Sequence, residues 1–228
     1  MKKWFTIEEL AAHNSPFDCY VSIYGTVYDL THLIPQHSRA LSQPLLQMAG
    51  KDISHWFEPR TADMTTGVEL LMEFDPQMQI TTYCIPPKGK FIHFPPMYPC
   101  NDFNMEELPW WKDPDYMVGK LSERSRFVRI RNVMTEHTDL MEVPMEETIN
   151  QIMERYVNLN AHALSYEALK LCTCDTHEDK VFVALDMNKS LEENGVFDES
   201  LEYGEMGMEI NHLIPVMDVH YTDDLTVA

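Results

Sequence analysis

Apolar and polar positions alternate over residues 21–25, where Val21, Ile23 and Gly25 interleave with Ser22 and Tyr24. Val27 and Leu30 then bracket Tyr28 and Asp29. A period of two with β-branched residues and one central glycine predicts two short strands and a tight turn. Asp29 and Thr31 are caps for a short helix expected over residues 31–34, broken by Pro35. A further helix is expected over residues 41–48, with Pro44 tolerated only in its first turn. The run Ala49-Gly50-Lys51-Asp52-Ile53-Ser54-His55-Trp56-Phe57 reads as a glycine stop, an aspartate cap and another helical turn. Upstream, Thr6 with Glu9 three residues later is a capping box for a helix running to about His13, before Asn14-Ser15-Pro16. Downstream, residues 80–85 and 90–94 flank Pro86-Pro87-Lys88-Gly89 and predict a β-hairpin, with His93 an edge or core residue of its second strand.

The second half changes character. Residues 99–123 carry Pro109-Trp110-Trp111 and Pro114, and proline removes backbone donors. That stretch is therefore expected as a connector, neither sheet interior nor long helix. Strands are expected over 127–133 and 139–143, across a polar turn at 135–138. A helix over 145–157 presents Thr148, Ile149, Ile152, Met153 and Tyr156 on one face. Pro144 before it and Glu146 and Glu147 in its first turn suit a helix start. Residues 166–169, 181–185 and 214–221 complete the strands, with a turn segment over 186–196. The pattern predicts an α+β chain with domains at 1–98 and 124–228.

Charge sharpens that boundary. Residues 1–98 hold 7 basic and 10 acidic side chains, against 10 and 27 in residues 99–228, for a net charge of −20. Such a surface repels nucleic acid and anionic lipid, which excludes both as partners. No apolar run reaches the roughly 18 residues of a membrane span, and acids stand where a signal peptide would be apolar. A soluble intracellular protein is expected. Five unevenly spaced cysteines suit reduced thiols. Cys172-x-Cys174 with His177 supplies three ligands where structural zinc takes four, so free thiols are favoured over metal.

Two adjacent tryptophans are costly to leave in water. Trp110 and Trp111 are expected to pack between the domains or against a partner, with packing inside the chain preferred. Lys120, Arg124, Arg126, Arg129 and Arg131 cluster, whereas residues 186–228 hold 11 acids and one lysine. Either the basic strand meets acids of its own domain, or the two patches set the register of a larger assembly. No serine, histidine or acid falls on a nucleophile-elbow or phosphate-loop pattern, so no enzyme chemistry is expected.

Val27-Tyr28-Asp29-Leu30-Thr31, His37 and the run from Ala49 to Phe57 stand in the order and at the separation that resemble the cytochrome b5-like haem-binding domain. The opening Thr-x-x-Glu-Leu-x-x-His, which ends at His13, is similar too and gives that histidine a scaffold role. The resemblance implies haem held between two axial side chains, with His37 as the first ligand and Phe57 packing on the porphyrin. Its Pro-Gly-Gly after the histidine is replaced by Ser38-Arg39-Ala40. Its second histidine would fall near Thr61 or Ala62, and no histidine lies between His55 and His93. His55, two residues from Phe57, should face away. Met64, Met72 and Met78 are alternative ligands by chemistry alone. The expectation is a b5-like scaffold without cofactor, with haem on His37 as the alternative.

The strand hairpin, helix, strands and Lys189-Ser190-Leu191-Glu192-Glu193-Asn194-Gly195-Val196 turn resemble the ubiquitin-like β-grasp fold. Modifiers of that family end in Gly-Gly, whereas this chain ends Asp224-Leu225-Thr226-Val227-Ala228, so a built-in interaction module is implied. A b5-like domain, a Pro-Trp-Trp connector and a ubiquitin-like domain together resemble a family of motile cilia and flagella, associated with axonemal radial spokes. This implies a non-enzymatic axonemal subunit with radial-spoke proteins as partners, and Trp110, Trp111, Arg124, Arg126, Arg129 and Arg131 as partner-facing residues. A haem-based redox sensor or electron carrier in the cilium is the second reading.

Overall fold

The computed structural model describes residues 3–59, 72–75, 80–83, 91–96, 98, 101, 107–161, 166–172, 181–198, 200–207 and 214–221. It divides into two units, Met1–Leu121 and Ser122–Ala228.

The first unit begins with β1 (Trp4–Phe5) and α1 (Ile7–Ala12). Thr6 accepts from the Glu9 backbone N–H while the Glu9 carboxylate accepts from the Thr6 N–H, so the expected capping box is present. β2 (Asn14–Ser15), β3 (Asp18–Ile23) and β4 (Thr26–Asp29) follow. Tyr24 and Gly25 both take positive φ, 45° and 72°, which matches the twist a two-residue hairpin needs. α2 (Arg39–Gln47), β5 (Lys51–Asp52), the hairpin β6 (Met72–Asp75) with β7 (Ile80–Tyr83), and β8 (Met117–Leu121) complete the unit. The main sheet runs β1-β8-β4-β3-β2, with β5 beside β3.

Four expectations are corrected here. Residues 31–33 form a turn held by the Asp29 carboxylate on the Thr31 N–H, and the 3-10 turn lies at Ile34–Gln36 with Pro35 inside it. α2 starts at Arg39, which puts Pro44 in its second turn. The carbonyl that loses its donor belongs to the exposed Ala40, where water can serve it. β7 pairs with β6, and Phe91–Phe94, expected in its partner strand, is a turn closed by the Phe94 N–H on the Phe91 carbonyl, while residues 84, 85 and 90 of the expected hairpin lie outside the described residues. The stretch expected as an irregular connector contributes β8, which lies between β4 and β1. Gly119 permits that insertion: a Cβ there would lie 2.3 Å from the Lys3 carbonyl and 2.7 Å from Phe5 Cε2.

A small core of Phe5, Leu10 and Val27 is separate from a larger one. The latter gathers Val21, Tyr28, Leu30, Leu33, Leu45, Ile53, Trp56, Phe57, Phe91, Trp110 and Trp111 among others. Cys19, fully buried in it, is a free thiol whose pKa burial pushes up to about 12, aided by Asp29 and Asp18.

In the second unit, β9 (Ser125–Asn132) and β10 (Thr138–Pro144) form the expected hairpin. α3 (Ile149–Tyr156), β11 (Tyr166–Cys172), β12 (Val181–Ala184), α4 (Ser200–Glu205) and β13 (Val216–Tyr221) follow. The sheet order is β10-β9-β13-β11-β12, with β9 and β13 parallel at its centre and the other pairs antiparallel. α3 starts four residues later than expected, because Thr148 and Gln151 form a complete capping box while Pro144 still belongs to β10. Glu147, expected in the helix, is instead buried and bound by Arg155 at 2.6 Å. Ile149, Ile152, Met153 and Tyr156 pack on Val128, Ile130, Val143, Ala168, Met217 and Val219. No helix among the described residues is long and apolar enough to cross a membrane.

Candidate functional site

His37 follows the 3-10 turn that buries Leu33 and Ile34, and Ser42 Oγ donates to the Ile34 carbonyl to fix that turn. His37 Nδ1 lies 3.1 Å from the Leu33 carbonyl. A carbonyl only accepts, so Nδ1 carries the proton and the neutral ring leaves Nε2 as a bare donor atom. This is the orientation that readies an imidazole for a metal.

The structure places beside it a residue that sequence reasoning had set aside. The ring centres of His37 and His93 are 5.9 Å apart, with the planes at 86°. His93 takes φ 63°, in the left-handed region, and is 20 % exposed at its side chain. Its Nδ1 accepts the Trp110 backbone N–H at 3.0 Å, so the neutral ring carries its proton on Nε2, which faces Glu107 Oε2 at 4.0 Å. Burial, together with neighbouring His37, holds the His93 pKa below its ordinary value against the pull of Glu107 and Asp113.

Trp110 and Trp111 lie in the core of this unit, 0 % and 7 % exposed, as the preferred packing inside the chain required, and their alternative assignment to a partner-facing surface is corrected. Trp110 meets Tyr28 edge-to-face at 5.7 Å and Phe57 at 6.5 Å. Trp111 meets Phe57 at 5.7 Å and Phe91 at 6.2 Å. Phe91 stacks on Trp56 at 5.2 Å. The Tyr28 hydroxyl donates to the Trp111 carbonyl at 3.1 Å, so both tryptophans are tied by main chain as well as by ring. Both indole Nε1 atoms are buried without a hydrogen-bond partner among the described residues, an uncommon state for tryptophan in a core.

The basic cluster is divided. Arg124 reaches Asp198 at 3.6 Å, and Arg131 holds Asp218 through two nitrogens at 2.6 and 2.7 Å. These pairs favour acids of the same unit over an outside partner. Arg126 is buried, donates to the Val196 carbonyl at 2.8 Å and cannot face a partner as expected. Arg129 keeps its place on the outer sheet face. Phe57 is buried and His55 exposed, as the helix-face argument required. Thr61, Ala62, Met64, Met78, Cys174 and His177 lie outside the described residues, and nothing is described of the Met72 side chain. Among the described residues no group of three or more His, Cys, Asp or Glu side chains could hold a metal ion.

A helix-flanked sheet with His37, Phe57 and the capped α1 in these positions defines a cytochrome b5-type domain, and residues 6–86 match the model of the Cytochrome b5-like Heme/Steroid binding domain. Over nearly its whole length the chain is similar to cytochrome b5 domain-containing protein 1 of Xenopus laevis, at 42% identity across 98% of this chain and 96% of that protein. The same protein of Homo sapiens is 38% identical, across 99% and 92%. The chain belongs to the cytochrome b5 domain-containing protein 1 family. Cytochrome b5 of Oryza sativa subsp. japonica is 33% identical across 47% of this chain and 74% of that protein.

The donor set shows how far the described residues fit the haem that such a domain implies. His37 suits an axial ligand. His93, the only other imidazole brought against it among the described residues, spends Nδ1 as an acceptor and so has no bare nitrogen for iron. Two indoles meet the Phe57 ring in T-shaped contacts. As packed, these residues do not fit a haem held between two imidazoles.

Proposed function

We propose that the chain is a non-enzymatic structural or regulatory subunit of the ciliary axoneme, associated with radial spokes and acting by protein–protein docking. One observation carries this reading. The side chains around His37 are committed to packing: Trp110 and Trp111 fill the core against Phe57, and His93 ties the Trp110 main chain. What remains is a packed scaffold. The second unit supports docking. Its strand order, with a central parallel pair, suits a ubiquitin-like β-grasp module. Leu140, Arg129 and Val216 stand opposite one another across β10, β9 and β13, with Phe127 two residues along β9. Leu140, Val216 and Phe127 are exposed, at 53%, 40% and 46%. Resemblance to the axonemal family supplies the location.

The test is fractionation of motile cilia carrying the tagged chain. It should stay with the detergent-extracted axoneme and be lost from axonemes that lack radial spokes. Complete release into the detergent-soluble fraction would end this reading. A haem-binding redox sensor is the second reading, favoured by the bare Nε2 of His37. It requires an absorption band formed with haemin and abolished by His37→Ala.

A further inference from the structure

We infer that two copies of this chain pair through β10 (Thr138–Pro144), edge to edge and antiparallel about a two-fold axis at Leu140, so that their sheets join into one. The pairing does not depend on where the protein is located.

β10 is an end strand of its sheet, so one side of its backbone has no neighbouring strand. The ladder with β9 fixes which groups face that side. The Asn132 N–H donates to the His137 carbonyl at 2.9 Å and the Met145 N–H to the Arg124 carbonyl at 3.1 Å. Hydrogen-bonded pairs alternate along an antiparallel ladder, so Asp139, Met141 and Val143 spend their main-chain groups on β9. The N–H and C=O of Thr138, Leu140 and Glu142 point outward, and none of them meets a described residue. Three usual guards of such an edge are missing: β10 keeps unbroken register with β9, carries no lysine and holds its proline at the last position. Its two acids, Asp139 and Glu142, repel only a strand that sets acids opposite them.

A second β10 sets none there. Pairing about Leu140 puts Thr138 against Glu142 of the other copy, Asp139 against Met141, and Leu140 against its own counterpart. Leu140 is 53% exposed, so contact on the axis removes apolar surface from water. Pro144, which has no N–H to give, falls opposite Glu136 of the other copy, beyond the end of that strand, and costs the new ladder nothing. The strand is thus self-complementary, as a two-fold contact requires. Against it stands the net charge of −20 on each chain, a repulsion that salt screens.

The test is sedimentation equilibrium of the full chain across a range of concentrations at low and high salt. A monomer–dimer equilibrium that tightens with salt is expected. Leu140→Glu sets two carboxylates opposite one another on the axis and should weaken the dimer by about tenfold or more. Leu140→Pro removes the outward N–H of each copy and leaves the bonds to β9 intact. It should weaken the dimer by about thirtyfold, the factor for the two hydrogen bonds that symmetry removes. If Leu140→Pro fails to fold, Leu140→Glu decides alone. Mild oxidation of Leu140→Cys should give a covalent dimer, because residues paired in this way lie about 5.5 Å apart at Cα, within disulfide reach. Phe127→Cys, exposed but one strand from the axis, should cross-link no more than the wild type. A chain that stays monomeric at every concentration and salt overturns the inference. So does a dimer that both Leu140→Glu and Leu140→Pro leave unchanged, or one that Phe127→Cys cross-links as readily as Leu140→Cys.

Discussion

His93 shows how much one side chain can decide. Its Nδ1 serves the Trp110 N–H, and its pKa is lowered by burial and by His37. The unfolded chain therefore binds this proton more readily than the folded one. The stability His93 contributes is complete above the ordinary histidine pKa of about 6.5. It is lost as pH falls through the lower folded value. Urea midpoints measured between pH 7.5 and 5.5 should fall more steeply in the wild type than in His93→Ala. At neutral pH that variant should itself be destabilised by about 1–3 kcal/mol, since it leaves a buried N–H unpaired. Equal pH slopes would refute the assignment. His37 was legible in the sequence because its neighbours along the chain repeat a family pattern. His93 was not, because its meaning comes from a ring distant in sequence and from a backbone N–H 17 residues away.

Among the elements, those closed by local signals were read well and those chosen by competition were not. The Thr6–Glu9 box and the 24–25 turn depend on neighbours a few residues apart. At the start of α3 two signals competed, Pro144 and Thr148, and the box with reciprocal hydrogen bonds prevailed over a proline already used by β10. β8 carried no usable signal: Met117 to Leu121 is short and closely follows Pro114, and its strand character comes from two partners far upstream. Its dependence on Gly119 is testable. In Gly119→Ala the new Cβ would meet the backbone oxygen of Lys3, which cannot rotate aside. A loss of about 3 kcal/mol, the upper end for overpacking, is expected in chemical denaturation. A loss below 0.5 kcal/mol would mean that β1 does not pair there.

For the chain as a whole, the boundary after Leu121 makes the Pro-Trp-Trp stretch a part of the first unit. A fragment of residues 1–121 keeps β8, Trp110 and Trp111, and should give a dispersed NMR spectrum and a cooperative thermal transition. A fragment of residues 1–98 loses the strand between β1 and β4 and the indoles on Phe57. It should show neither; equal cooperativity in both would remove β8 and the tryptophans from the core.

The sequence by itself determined the two halves, the b5-like order of blocks, the capped first helix and the amphipathic face of α3. Each rests on residue spacing or on contacts within a turn or two. Only the tertiary structure decided that the tryptophans lie under Phe57, that His93 stands against His37, and that a supposed linker is a sheet strand. Those outcomes depend on which distant segments come together to bury the most apolar surface while still pairing their backbone groups, and a linear pattern holds no record of that choice.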